Sequence, residues 1–231
     1  MGEIFKKSLL IALLAISFTT SVDAQRRGGT SEYNMIGVKL GGSHFNIETD
    51  NFTLVPDYGF IGGLSTRGNF YNNWDLQFGI SIGNNNVKVQ GRQTLASASE
   101  DINFSMLNAQ LHLLFGYKII GNQRNMRSDF KLTAELGPVL MVNGKMKYSN
   151  DRYETYIIDG ANITAEQIQD VSTINGTGVV GLSAGIERFR VFGHYHYGFT
   201  NILGKLNDIE GNTEDFKGNV NMFQFGILFY F

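Results

Sequence analysis

An alternation of apolar and polar residues with a period of two is the feature of this sequence that most constrains its fold. In the segment WDLQFGISIG, the apolar residues Trp74, Leu76, Phe78, Ile80 and Ile82 alternate with polar or very small ones. A period of two sends successive side chains to opposite faces of a β-strand, whereas a helix requires a period near 3.6. The pattern occurs eight times, at 36–41, 58–67, 74–83, 107–117, 130–137, 180–187, 190–199 and 223–231. We therefore expect an all-β, antiparallel protein.

The links between these strands alternate in length. Those at 70–73 and 187–190 are short, whereas those at 84–101, 149–173 and 201–218 are long and polar. Short turns at one end and long loops at the other are typical of outer-membrane β-barrels. The link 118–129 departs from this pattern, because it should be short. We expect one up-and-down transmembrane β-barrel of eight strands, and the sequence leaves a ten-stranded variant open.

The composition of the polar face separates a membrane barrel from a soluble, lipocalin-like one. A soluble barrel turns its apolar face inward and carries many Lys and Glu residues outside. Here the polar face is mainly Gly, Ser, Asn and Gln, and only 17% of all residues are charged. Aromatic residues also lie at strand ends, as an interfacial girdle requires: Tyr58, Trp74, Tyr117 and Phe231. The apolar faces are therefore predicted to contact lipid, and the glycine-rich faces to line a narrow lumen.

The N-terminal residues predict export from the cytoplasm. Lys6 and Lys7 precede an apolar segment at 8–18, and a small-x-small cleavage site ends at Ala24. We expect residues 1–24 to be a signal peptide, residues 25–32 a short polar tail and residues 33–231 the barrel domain. The chain has no cysteine, which excludes disulfide bonds, thiolate metal sites and a lipoprotein-type anchor. Its net charge of −2 gives no reason to expect a nucleic-acid partner.

The charged residues on the predicted lumen face are nearly balanced in sign. Unpaired charges in a narrow, poorly hydrated space are costly, so we expect these residues to pair. The predicted polar network of the lumen consists of Lys39, Arg67, Asp75, His112, Lys131, Glu135, Glu187, Arg190, His194 and His196. Another interpretation places Ser183, Glu187, His194 and His196 in a hydrolase-like arrangement. The paired histidines could also bind a metal, but no further ligands accompany them. We expect no catalytic, cofactor-binding or metal site, and no cofactor.

Two further motifs have simple structural explanations. The segment GTGVVG at 176–181 matches the GxGxxG pattern of dinucleotide sites, but it begins a strand and no helix follows it. Acidic and amide side chains recur at every second position in the last long loop: Asp208, Glu210, Asn212 and Glu214. Such oxygen ligands could hold Ca²⁺. A solvated acidic loop is the interpretation we favour.

The C-terminus and two segments resemble features of known proteins. Phe223, Phe225 and Phe229 precede the terminal Phe231 in the same phase, which resembles the signal by which outer-membrane barrels are recognised for assembly. The segments IGVKLGGSHFN at 36–46 and YGFTNI at 197–202 resemble PorT-like, porin-family outer-membrane β-barrel proteins with a barrel domain of OmpA or OmpX size. The resemblance extends over essentially all of the predicted mature chain. It implies a β-barrel in the outer membrane of a Gram-negative bacterium, surrounded by outer-membrane lipid. Some relatives contribute to protein secretion across that membrane.

These observations favour a non-enzymatic, monomeric outer-membrane protein. We expect it to act through its extracellular loops or as an accessory to an envelope or secretion assembly, whose protein would be its partner. Aromatic residues at the long loop, Tyr148, Tyr153 and Tyr156, could form a binding surface. Two alternatives stay open. One is a small channel or transporter for polar solutes, and the other is an enzyme acting on lipid or peptide around His194 and His196.

Overall fold

The computed structural model of this chain describes residues 35–121, 130–186, 188–210 and 212–231. The predicted signal peptide and polar tail lie outside the described residues. Most of the link 118–129 and Glu187 also lie outside the described residues. The predictions for the signal peptide, the polar tail, this link and Glu187 therefore stay predictions. Within the described residues, no helix is long and apolar enough to cross a membrane.

Eight long strands form a closed ring, and a ninth, very short strand lies in a loop. Their bounds are β1 Met35–Glu48, β2 Leu54–Tyr71, β3 Trp74–Arg92, β4 Glu100–Ile120, β5 Phe130–Tyr148, β6 Ile157–Ile158, β7 Ile174–Ile186, β8 Phe189–Gly198 and β9 Asn219–Tyr230. Each long strand pairs antiparallel with its neighbours in the chain, and β1 pairs with β9, which closes the barrel. The predicted eight-stranded, up-and-down architecture is confirmed. The two-residue strand β6 pairs with the end of β3.

The stagger of the strands makes the barrel narrow. Paired residues followed once around the wall from Trp74 lead back to β3 at Asn84, ten residues further along. A stagger of this size in eight strands tilts each strand by about 40° and leaves an interior wide enough only for side chains. Every residue of the inner face must therefore share a small cross-section with its neighbours.

An apolar belt surrounds the end of the barrel that carries the short turns. On β3 it extends from Trp74 to Ile82, which at this tilt is about 20 Å and close to the height of a transmembrane band. Trp74 and Tyr117 pack edge to face at its lower margin, with ring centroids 5.1 Å apart. The turn between β2 and β3 contains Asn72, whose positive φ of 48° suits a tight hairpin. The belt and its aromatic margin lie where the alternation predicts them.

Above the belt, the two faces of the wall exchange character. On β3, Val87 and Val89 point inward and are buried, whereas Asn86 and Lys88 lie on the outer face. Strands β1, β4, β5 and β9 make the same change, and their inward residues beyond the belt include Phe45, Ile47, Ile102, Phe104, Met106, Met146, Val220 and Met222. The lower half of the barrel thus has its apolar side outward, as in a membrane protein. The upper half has its apolar side inward, as in a water-soluble protein.

The long loops complete this upper core. Residues 149–173 and 199–218 fold over the open end of the barrel, and their apolar side chains join the inward residues in one cluster. The fully buried members from the loops are Ala165, Ile168, Ile202, Leu203, Leu206 and Phe216. We call these two loops and the inward residues that they contact the extracellular cap. The cap closes this end of the barrel with packed apolar side chains.

Polar contacts hold the cap in place. The side chain of Asn201 donates to the carbonyl of Phe216 at 2.7 Å and accepts from the backbone amide of Gly218 at 2.8 Å. Arg92, at the end of β3, donates to Asp159 at 2.5 Å and so attaches the first cap loop to the wall. This bond holds the pKa of the Asp159 carboxyl below its usual range. The loops are therefore fixed by both apolar packing and hydrogen bonds.

Three expectations about the loops were wrong. The segment 84–101 is mostly strand, because β3 continues to Arg92 and β4 begins at Glu100. The loops 149–173 and 201–218 are not simply polar, since they bury apolar residues in the cap. Tyr153 and Tyr156 do not form an exposed surface, because both are 7% exposed and pack against each other with centroids 5.1 Å apart.

We predict that replacing Leu206 by alanine loosens the cap. Leu206 is fully buried, so its truncation leaves a cavity and should cost about 2–4 kcal/mol. The matched control is Leu95→Ala, because Leu95 is 80% exposed. In lipid vesicles, trypsin should cut at Lys205 much faster in Leu206→Ala than in the control or the parent protein. Equal cleavage rates in all three would contradict a packed cap.

Candidate functional site

A row of paired residues in the lower lumen alternates large polar side chains with glycine. Asp75 pairs with Gly116, Gly116 with Glu135, Glu135 with Gly181, and Gly181 with His194. A Cβ atom on Gly116 would lie 2.0 Å from a carboxylate oxygen of Asp75, and one on Gly181 would lie 2.5 Å from the His194 ring. The glycines thus provide the space into which the charged side chains fold.

Arg67 is the centre of this network. Its Nη1 donates to both carboxylate oxygens of Asp75 at 3.1 Å, and its Nη2 donates to Glu135. Further bonds go from Nη2 to Gln77 at 2.5 Å and from Nε to the hydroxyl of Tyr230 at 3.2 Å. Arg67 is 1% exposed, so its charge depends on these partners rather than on water.

Glu135 joins Arg67 to the histidine side of the lumen. It accepts from Nε2 of His194 at 2.6 Å and from the hydroxyl of Ser183 at 2.5 Å. Arg190 lies beside the same hydroxyl, at 3.4 Å, and donates to Thr133 at 3.1 Å. One carboxylate therefore receives bonds from three different strands, which fixes their side chains relative to one another.

A second group of polar residues lies across the lumen. Nζ of Lys39 donates to Gln224 at 3.2 Å and stands 4.6 Å from the centre of the Phe192 ring. Gln224 in turn donates to Gln110 at 3.0 Å. Amide side chains and an aromatic face thus surround this lysine, and its charge is solvated by dipoles.

The structure brings together most of the residues predicted for the lumen network. The side chains that are 3% exposed or less are Lys39, Arg67, Asp75, His112, Glu135, Arg190, His194 and His196. Arg67, Asp75, Glu135 and His194 form one bonded group. Lys131 is half-buried near Gly121 at the turn end of the barrel, and Glu187 lies outside the described residues. Nε2 of His112 has no hydrogen-bond partner among the described residues.

The order of contacts differs from that of a hydrolase triad. In a triad, histidine stands between the nucleophile and the acid. Here the acid Glu135 stands between Ser183 and His194, and the serine hydroxyl donates to the carboxylate. Within the bonded group, this hydroxyl contacts the carboxylate and the guanidinium groups of Arg67 and Arg190, not an imidazole. The arrangement is suited to holding charges together inside the wall.

The remaining motifs are occupied by structural contacts. The amide of Asn212 donates to the carbonyl of Glu214 at 2.8 Å, and the Glu214 carboxylate accepts from the backbone of Asn162 at 3.1 Å. In the part of the chain that the structure describes, no group of three or more His, Cys, Asp or Glu residues is placed to hold a metal ion. The GTGVVG segment is part of β7, without the helix that a dinucleotide site needs.

The prediction from sequence omitted the neutral partners of the charges. Gln77, Thr133, Gln224 and Tyr230 lie on the inner face and bond to the charged residues, and Gln110 joins them by accepting from Gln224. Their positions in the alternation identify this face, so the signal was present in the sequence. A search limited to charged residues and histidines could not find them.

Comparisons with known proteins place these features in a family. A family model described as outer membrane protein beta-barrel domain matches residues 19–204.

Three solved structures are similar at low identity. Ail, the attachment invasion locus protein of Yersinia pestis, is 13% identical, with 86% of this chain and 99% of Ail covered and a TM-score of 0.41. Neisserial surface protein A is 14% identical, with 88% and 100% covered and a TM-score of 0.46. OprG from Pseudomonas aeruginosa is 14% identical, with 87% and 97% covered and a TM-score of 0.45. No curated protein matches the chain significantly.

We predict that Glu135→Gln destabilises the barrel strongly. The substitution leaves the buried charge of Arg67 with one carboxylate in place of two, and losing a buried ionic partner typically costs about 3–5 kcal/mol. Glu48→Gln is the control, because Glu48 is exposed at the end of β1 and should change stability by less than about 0.5 kcal/mol. Urea unfolding in lipid vesicles measures both. Equal midpoints for the two variants would show that the network does not support the fold.

Proposed function

The chain belongs to the outer membrane protein beta-barrel domain family and lies in the outer membrane of a Gram-negative bacterium. From this premise, we propose that it is a non-enzymatic, non-conducting barrel. We propose further that its extracellular cap binds another protein of the cell envelope. The observation that carries the proposal is the apolar core of the cap, which turns the long loops into a folded external surface. Loops held rigidly on a scaffold are the usual position of binding residues.

The filled interior argues against the alternative of a channel. Arg67, Glu135 and His194 are bonded across the lower lumen, and the cap covers the upper end with buried apolar side chains. A solute would have to separate a buried ionic network and also displace the cap. Both steps are costly, because each removes packing or charge pairing that water cannot easily replace.

The contacts of the lumen also argue against the alternative of an enzyme around His194 and His196. Both rings are buried, at 1% and 2% exposed, and His194 is bonded to Glu135. A substrate from the lipid or the periplasm would have to enter a lumen filled with side chains. The absence of activity is part of the proposal.

The resemblance to PorT-like proteins suggests the kind of assembly that the cap serves. We propose an accessory role in an envelope assembly such as a secretion machine, with a protein of that machine as the partner. The exposed acidic side chains of the cap, which include Glu166, Asp208 and Glu210, offer charged positions for such a contact. A monomeric barrel suits this role, since its cap is complete within one chain.

We predict that the purified protein produces no conductance steps in a planar bilayer. The expectation follows from the bonded lumen and the cap, and a porin reconstituted in the same bilayer serves as the positive control. In about 1 M KCl, the conductance should remain at the baseline of the protein-free membrane. Salt at this concentration screens charges in a pore and so makes even a narrow, charged pore detectable. Reproducible steps of uniform size would contradict the proposal and support the channel alternative.

We predict that photo-crosslinkers on the cap capture one discrete protein in intact cells. Suitable positions are Glu166 and Asp208, one exposed residue in each cap loop. A crosslinker at Leu64, which is exposed on the lipid-facing belt, is the control and should yield lipid adducts only. If neither cap position yields a protein adduct, the cap is not a binding surface and the accessory role is wrong.

A further inference from the structure

Three lysines lie together on the outer surface just beyond the apolar belt. Lys88 is on β3, and Lys145 and Lys147 are on β5. Strand β4 separates them and presents the small polar residues Asn103 and Ser105 on the same face. Lys88 pairs with Asn103 and Lys147 pairs with Ser105, two residues apart on β4. With strands about 4.8 Å apart, the backbones of Lys88 and Lys147 are separated by about 12 Å, within reach of two extended lysine side chains. We call these three residues the lysine patch.

A β-bulge turns two of these lysines outward. Met106 pairs with Met146 and Asn108 with Asn143, so two residues of β5, Gly144 and Lys145, oppose the single residue Leu107. In an uninterrupted strand, Lys145 and Lys147 would follow Asn143 on the inner face. The extra residue shifts them to the outer face and sends Met146 into the upper core, where it is fully buried. Bulges are a known means of re-aiming side chains.

The height of the patch is set by the strand register. Ile82, Ala109, Val142 and Ile174 form one row of paired residues in the belt, and exposed Leu107 adds one more apolar position in the next row outward. Ser105 and Lys147 pair two rows further out. Each row adds about 5 Å of height at this strand tilt, so the ammonium groups lie at the level of lipid headgroups.

The lysine patch has no acidic partner within the described part of the chain. Two lysines of the cap loops do form ion pairs, Lys205 with Asp170 at 3.3 Å and Lys217 with Asp215 at 2.6 Å. For Lys88, Lys145 and Lys147, no carboxylate of the described residues lies within salt-bridge distance. Asp101 is exposed on β4 but stands further from the membrane than Asn103. The three lysines of the patch are therefore not neutralised by an ion pair within the described residues.

A shallow apolar groove lies on the lipid-facing side of the wall, and its β5 residue Pro138 is seven residues below Lys145 on the same strand. It has a volume of about 430 Å³ and lies between Leu136 and Pro138 of β5 and the aromatic residues Tyr195 and Tyr197 of β8. Gly178, which pairs with both Pro138 and Tyr197, forms its floor. A groove of this kind accepts a hydrocarbon chain that enters from the lipid phase. The patch thus stands above an apolar wall, which is the arrangement that a lipid with a phosphorylated headgroup contacts.

We propose that the lysine patch binds the phosphorylated headgroup of an outer-leaflet lipid, whose acyl chain follows the wall below it. Clustered lysines at a membrane surface attract anionic headgroups, and the attraction increases with each additional cation. The partner is a lipid rather than a dissolved anion, because the patch stands directly on the lipid-facing belt. This site is separate from the cap that binds a protein, and it anchors one side of the barrel to specific lipids.

The test measures lipid binding to the purified, folded chain by native mass spectrometry. The probes are diphosphoryl lipid A, the same lipid without phosphates, and inorganic pyrophosphate. The test variant is Lys145→Gln/Lys147→Gln, and the matched control is Lys205→Gln/Lys217→Gln, which removes the same charge from the paired lysines of the cap. The single variant Lys88→Gln tests the patch from another strand, and a heat-dependent mobility shift verifies that every variant is a folded barrel.

We expect the double variant to bind the phosphorylated lipid roughly tenfold more weakly, because each surface lysine contributes a few-fold. Lys88→Gln should weaken binding by a smaller factor, the control variant should bind like the parent, and removal of the lipid phosphates should abolish the difference between variants. Unchanged binding in the double variant would overturn the proposal. Equal weakening in the control variant would also overturn it, because that result would indicate general charge attraction. Competition by pyrophosphate at the concentration of the lipid would overturn it as well, because that result would indicate a simple anion site.

Discussion

The requirement that every backbone hydrogen bond be made within the sheet governs the rest of this structure. Hydrocarbon offers no partner for an N–H or C=O group, so the sheet must close, and here β1 pairs with β9 to complete the ring. Eight strands with a stagger of ten residues close only at a small radius. The narrow lumen then requires that large side chains alternate with glycine, as in the row from Asp75 through Gly116 to Glu135. Charges that share such a space are stable only when bonded to one another, which accounts for the position of Arg67.

The barrel wall contacts lipid along its lower part and water along its upper part. The apolar side of the wall therefore changes from the outer face to the inner face. Between Ile82 and Val87 on β3, the apolar side changes from the outside to the inside, because lipid lies against the first part and water against the second. The upper interior then requires apolar contacts, and the cap loops supply them. The barrel is therefore filled by side chains in its lower half and covered by the cap above. Its cap is a stable surface because the apolar core that closes the lumen also orders the loops.

The fold could be predicted from the sequence because the belt strands have a clear period of two. The upper halves of the strands could not be recognised as easily. On β3, the segment Asn84 to Asn86 interrupts the apolar period, and Val87 and Val89 continue it in the opposite phase. On β5, the bulge at Gly144 changes the phase a second time. An interpretation that follows one apolar face along the chain therefore ends each strand too early and assigns the remainder to polar loops. The lumen charges were identifiable from parity alone, whereas their bonding pattern depends on cross-strand distances that no single strand contains.

The distribution of charge separates the roles of the two surfaces. Inside the barrel, Arg67 is bonded to Asp75 and Glu135, and Lys39 is surrounded by amide groups, so these cations are neutralised by the protein itself. Outside, Lys145 and Lys147 are left without a carboxylate, although the cap provides one for Lys205 and for Lys217. The bulge on β5 also serves the fold, because it directs Met146 into the upper core and keeps the two lysines out of the apolar interior. Under our proposal, the missing anionic partner of these lysines belongs to the membrane. The inner charges thus stabilise the fold, whereas the outer ones are available for the proposed contact with a lipid headgroup.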